Sequence, residues 1–125
     1  MREEVQQYFE RAAECVEDGR ILFENSRLAA SLNRAYYAMF HAATAALLSK
    51  DIRRRSHHGI LSAFGETFVK TGRIDQEFFR FFREAFERRQ QSDYQPVVEV
   101  DRETAQQMLD HALDFVDACR RSIGE

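Results

Sequence analysis

Residues 88–94 read Arg-Arg-Gln-Gln-Ser-Asp-Tyr, which puts two guanidiniums, a carboxylate and a phenol within about two helical turns. Arg89 and Asp93 stand four residues apart, so on a helix they can meet along one face. Read for chemistry, the pattern aims an arginine at a phosphate, with an acid to hold it and a phenol alongside. Read for structure alone, it is an exposed intrahelical ion pair contributing about 0.3–0.5 kcal/mol. A second polar group interrupts an otherwise apolar stretch: Arg34, Tyr37 and His41 follow at intervals of three and four and share a helical face. A guanidinium in such a stretch needs an acid or an external anion, because an unpaired buried charge is costly. Asp93 is one acid able to serve.

The remaining reactive residue types give weaker signals. Of the four histidines, His57 and His58 are adjacent, while His41 and His111 stand alone, so no pair has the spacing of a helical zinc site. No metal or cofactor is expected. There is no glycine-rich phosphate loop and no Gly-x-Ser-x-Gly elbow. Cys15 and Cys119 lie far apart on apolar stripes and read as buried, reduced thiols. Asp110, Asp114 and Asp117 read as a solvated face. Ser56 has the position of a helix N-cap, and His57 either closes that cap or meets Tyr94. His41 reads equally as a site residue or a core-edge histidine, and Tyr36 reads as core.

Helices must position these groups. The chain has 125 residues, one domain's length, of which 44% are hydrophobic and 31% charged. Five glycines, one proline and only sixteen Val, Ile and Thr leave few breakers and few strand formers. The net charge of −3 hides a division. Residues 26–74 hold eight cations against two carboxylates, peaking at Arg53-Arg54-Arg55, whereas residues 1–25 hold three cations against seven carboxylates. A basic cluster of this kind either binds phosphates or is a solvated loop. No apolar run approaches the roughly 20 residues of a membrane span, and no apolar leader follows the N-terminus, so a cytoplasmic location is expected.

Apolar spacing predicts one helix ending near Phe23 and a second from Leu28 to Ser49 that is rich in alanine. After the basic loop, a third runs from the Ser56 cap to about Lys70 and stops at Thr71-Gly72. A fourth starts at Asp75, carries Phe78, Phe79, Phe81, Phe82 and Phe86 over a broad arc, and frays near Ser92–Tyr94 before Pro96. The width of that arc suggests contacts on two sides, its own bundle and a second subunit. A fifth follows the Asp101 cap. The expected fold is an all-α, up-and-down bundle of about five helices.

Three segments, Arg34-Ala35-Tyr36-Tyr37-Ala38-Met39-Phe40-His41-Ala42, Ser56-His57-His58-Gly59-Ile60-Leu61-Ser62-Ala63-Phe64-Gly65 and Arg89-Gln90-Gln91-Ser92-Asp93-Tyr94, together resemble the HEPN domain family in order and spacing over roughly residues 5–120. The likeness is closest to its small stand-alone prokaryotic branch. The resemblance implies a helical bundle that pairs as a homodimer. It also implies a role as toxin or defence effector beside a minimal nucleotidyltransferase antitoxin. Many members are metal-independent ribonucleases whose signature is Arg, four to six residues, then His. Here Asp93 and Tyr94 stand where that histidine is expected. A carboxylate with a pKa of about 3.9 accepts a proton at neutral pH but does not return one, and a phenol near about 10 is a poor base. Tyr94 also lies near a tyrosine that some family toxins have modified with AMP.

The resemblance therefore marks Arg89, Asp93 and Tyr94 as the positions of the catalytic motif, with Arg34, Tyr37, His41, Ser56, His57 and Arg88 as residues for RNA or a nucleotide. The reading is a nucleic-acid- or nucleotide-binding dimer. Its alternatives are a ribonuclease using Asp93, His41 or His57 for proton transfer, and a non-catalytic dimeric interaction module.

Overall fold

The computed structural model describes residues 2–95 and 99–124, and the side chains of residues 92–94 lie outside that description. Among the described residues the regular structure is entirely helical: α1 (Glu3–Glu24), α2 (Leu28–Leu48), α3 (His57–Phe64), α4 (Gln76–Tyr94) and α5 (Arg102–Ser122). Helix α2 runs through the centre, packed along α1 on one side and against α5 and α4 on the others.

The alanines of α2 explain how it is surrounded. Ala35, Ala38, Ala42, Ala43, Ala45 and Ala46 are fully buried, so neighbouring backbones approach closely where larger side chains would hold them off. Ser31, also fully buried, donates its hydroxyl hydrogen to the Gly19 carbonyl oxygen at 2.7 Å and ties α2 to α1. Phe9, Tyr36, Met39, Phe64, Phe68, Phe82 and Phe115 fill the core that this leaves.

The predicted caps form. The Ser56 hydroxyl accepts from the Gly59 amide at 2.8 Å, Asp75 from the Glu77 amide at 2.9 Å, and Asp101 from the Thr104 amide at 2.7 Å. The third helix departs from a plain α-helix. After Phe64 it widens into one π-turn over Gly65–Val69, closed by the Lys70 amide on the Gly65 carbonyl at 2.9 Å. Gly65 has no side chain to oppose the Phe79 ring, whose Cε1 would lie 3.0 Å from an added Cβ. Gly72, at φ +78°, ends the segment in the left-handed region that glycine favours. Helix α4 stops at Tyr94, and Gln95 is extended, as the residue before a proline is pushed to be.

The phenylalanine arc of α4 meets its own bundle on both flanks. Phe82 and Phe86 are buried towards Tyr36, and Phe81 stacks flat on His111 of α5 at 3.8 Å and 6°. His111 is thus half-buried against an aromatic ring. Both cysteines are buried free thiols, as their stripes predicted. No helix among the described residues is long and apolar enough to cross a membrane.

The alanine packing predicts intolerance to added bulk. Ala42→Leu is expected to lower stability by about 1–3 kcal/mol, measured as a lower urea midpoint with an unchanged denaturant slope.

Candidate nucleic-acid interface

The half-buried stripe of α2 beside its core stripe holds Asn33, Arg34, Tyr37, Phe40, His41 and Thr44. The three-and-four spacing does what it predicted: the Arg34 guanidinium lies 5.0 Å from the Tyr37 ring centre, and the Tyr37 and His41 rings are 6.0 Å apart. Three other helices deliver side chains to this stripe. From α4, Arg89 sets its guanidinium 5.6 Å from the Tyr36 ring and 5.7 Å from the Tyr37 ring. Tyr37 therefore has two guanidiniums close to its ring. From α3, His57 hydrogen-bonds through Nδ1 to the Tyr36 hydroxyl at 2.6 Å and stacks on Phe40 at 4.5 Å and 22°. From α1, Tyr8 comes within 6.0 Å of His41, with Arg11 5.6 Å from the Tyr8 ring.

Among the described residues, Arg34 is held by neutral groups. Its Nη2 donates to the Asn33 side-chain oxygen at 2.9 Å, and its Nη1 reaches the Cys15 sulfur at 3.9 Å. No carboxylate among the described residues pairs with it. A half-buried cation held by an amide oxygen, a thiol and a ring retains its affinity for an external anion. The Cys15 thiol beside it is pushed up by burial, against the pull of Arg34, and stays protonated.

His41 is neutral. Burial first, then the charges of Arg11, Arg34 and His57, push its pKa down to about 4. Its Nδ1 is enclosed and has no hydrogen-bond partner among the described residues. Its depressed pKa also reports the cationic field of the stripe.

The structure thus brings together Arg34, Tyr37, His41, His57 and Arg89 from the sequence-predicted set. Ser56 serves as the α3 cap adjoining His57. Arg88 turns away: it is exposed, donates to Glu84 at 3.4 Å, and lies near enough to Asp101 to help hold that carboxyl low. The helical positions of Asp93 and Tyr94 are as expected, but their side chains lie outside the described residues. Within the basic run, Arg53 is taken up by Glu4 at 2.7 Å, while Arg54 and Arg55 are exposed. Sequence reasoning missed Tyr8, Arg11 and Phe40 as members of the stripe. It placed Tyr36 correctly in the core, but not its hydroxyl at the base of His57.

The family described as HEPN domain matches residues 5–122. A Thermotoga maritima protein named "UPF0332 protein" is 37% identical over 123 residues, covering 98% of this chain and 93% of the relative. A Methanocaldococcus jannaschii protein named "Putative toxin MJ0605" is 34% identical over 125 residues, covering 100% of this chain and 92% of the relative. An Archaeoglobus fulgidus protein also named "UPF0332 protein" is 30% identical over 123 residues, covering 98% of each chain.

The shift of His41 has a definite sign. Between its ordinary pKa of about 6.5 and its folded value, the unfolded chain takes up a proton that the folded chain refuses, so stability falls as pH drops through that window. Partial solvent screening reduces the effect to about 1 kcal/mol between pH 7 and pH 5. Urea unfolding at the two pH values is expected to show this loss, and His41→Phe is expected to shrink it.

Proposed function

The chain belongs to the HEPN domain family, and on that basis we propose that it is a toxin-type RNA-binding protein working with a minimal nucleotidyltransferase as antitoxin. The observation that carries the RNA-binding part is the Arg34–Tyr37–Arg89 ledge, two guanidiniums set against one half-exposed phenol ring, with Arg34 lacking any carboxylate among the described residues. Guanidiniums recognise phosphate oxygens through several parallel hydrogen bonds, and an aromatic ring beside them stacks a base regardless of its identity. A nucleotide would use the same contacts.

The family resemblance supports the partner, and the name carried by the Methanocaldococcus relative supports the toxin role. The same resemblance supports a homodimer, in which two ledges would offer a longer track for one strand. A location in the cytoplasm, where RNA and a partner nucleotidyltransferase would be met, belongs to the same proposal.

Binding of a fluorescent mixed-sequence RNA strand, measured by anisotropy over a salt series, tests the ledge. Wild-type affinity is expected to fall steeply with salt. Arg34→Ala and Arg89→Ala are each expected to weaken binding and flatten the log–log slope by about 0.7, the loss of one phosphate contact on a single strand. Salt-independent binding, or slopes unchanged in both variants, counts against the ledge. Co-expression with a neighbouring nucleotidyltransferase gene, followed by size exclusion, tests the pair: two proteins that never co-elute would remove the partner from the proposal.

A further inference from the structure

We propose that the groove between the π-turn after α3 and the first half of α4 binds a small organic monoanion with an apolar body, a carboxylate or sulfonate carried on a short chain or a ring. The site lies apart from the Arg34–Tyr37–Arg89 ledge and does not rest on the RNA-binding reading.

The groove holds about 840 Å³, against about 300–1,000 Å³ for small-molecule sites in general. One wall is the end of α3 with the π-turn Gly65–Val69, and the other is α4 from Gln76 to Arg83. Single π-turns are rare within helices and frequently accompany functional sites. Gly65 lets the Phe79 ring lie against the first wall, since an added Cβ would meet the ring at 3.0 Å. Phe79 and Val69, both half-buried, give the groove its apolar surface.

Charge sets the sign of the ligand. Three cations and two carboxylates line the groove, and the carboxylates are taken locally: Glu66 by Lys70 at 3.6 Å and Glu77 by Arg80 at 3.2 Å. Arg83 is the cation left over. Its guanidinium lies 5.0 Å from the Phe79 ring centre, and no carboxylate among the described residues pairs with it. A guanidinium held on a ring face keeps its N–H donors for an anion. One uncommitted cation matches one negative charge, whereas a polyphosphate would bring several towards Glu66 and Glu77. Ser62 and Arg83 stand farthest along the two walls from the turn that joins them, so the exposed Ser62 hydroxyl is offered at the same end.

Length sets the size. The α4 wall from Gln76 to Arg83 rises only about 10 Å, while a three-turn peptide helix is about 16 Å long. The groove is therefore short for a helical partner and suits a single small molecule, its apolar body on Phe79 and Val69 and its anion at Arg83.

The test titrates the full-length chain with the fluorescent dye anilinonaphthalene sulfonate and then displaces the dye with octanoate or octylammonium, which share a chain and differ in charge. Dye emission is expected to rise while far- and near-UV circular dichroism stay unchanged. Octanoate is expected to displace the dye at a concentration about tenfold below that needed for octylammonium, the worth of one charge-assisted contact. Arg83→Glu, at an exposed position, is expected to reverse that order. Arg83→Gln, which keeps the stem over Phe79, is expected to erase the preference should Arg83→Glu fail to fold. Ser62→Phe fills one end of the groove and is expected to weaken both dye and octanoate. A dye that does not bind, equal displacement by the two competitors, or a preference that survives both Arg83 substitutions overturns the site. Sedimentation of the wild type and Arg83→Glu covers the other occupant: a shift to a smaller species in the variant would assign the groove to a second copy of the chain and overturn the small-molecule site.

Discussion

A phenol buried to zero exposure must find a hydrogen-bond partner inside the protein, and the partner of Tyr36 is the first residue of α3. That requirement shapes the middle of the molecule. Helix α3 has to begin where His57 reaches the hydroxyl, so Ser56 caps it there and the basic loop before it has to bridge from the end of α2. The loop is pinned to the N-terminus of α1 by Arg53 on Glu4 and Arg2 on Asp51, each at 2.7 Å. Surface pairs of this kind contribute little individually. Here they orient a short connection whose far end the Tyr36 hydrogen bond already fixes.

The charge division along the chain acquires a spatial meaning from this arrangement. The acidic residues of α1 and α5 lie largely on exposed positions, Glu10, Glu14 and Glu17 on one helix and Asp110, Asp114 and Asp117 on the other. Three cations from three helices, Arg11, Arg34 and Arg89, meet instead along the half-buried stripe of α2. Arg11 is the contribution of α1 to that stripe, turned onto Tyr8 rather than towards the glutamates. The low proton affinity of His41 is a consequence of the same field: a third positive charge between Arg11 and Arg34, in a partly dry site, is disfavoured.

Much of this was legible in the sequence because it depends on local rules. The helix boundaries follow from period and caps, and the shared face of Arg34, Tyr37 and His41 follows from three-and-four spacing alone. The π-turn was not legible, nor was the seating of Phe79 against Gly65, a contact between segments fourteen residues apart. The second flank of the α4 arc was hidden for a related reason. Period sets Phe81 about 100° round the helix from Phe82, but does not show that His111 of another helix covers it. Tyr36 shows the limit most plainly. Its apolar stripe predicts burial, yet burial says nothing about which group answers the hydroxyl, because that group arrives from another helix.

The means of holding the arginines bears on what the ledge can do. A carboxylate partner would fix a guanidinium firmly and cancel most of its charge, leaving little for a phosphate. A ring face holds the cation by a weaker attraction, about 0.5–2 kcal/mol depending on desolvation, and leaves its N–H donors pointing elsewhere. Arg34 is held in this way, by the Tyr37 ring with Asn33 supplying a neutral acceptor. Arg89 approaches the same ring, its guanidinium 5.7 Å from the ring centre. A glutamate at position 37 would bind both arginines more tightly and offer an anion less. The aromatic choice at that position keeps the positive potential of the stripe turned towards whatever lies outside it.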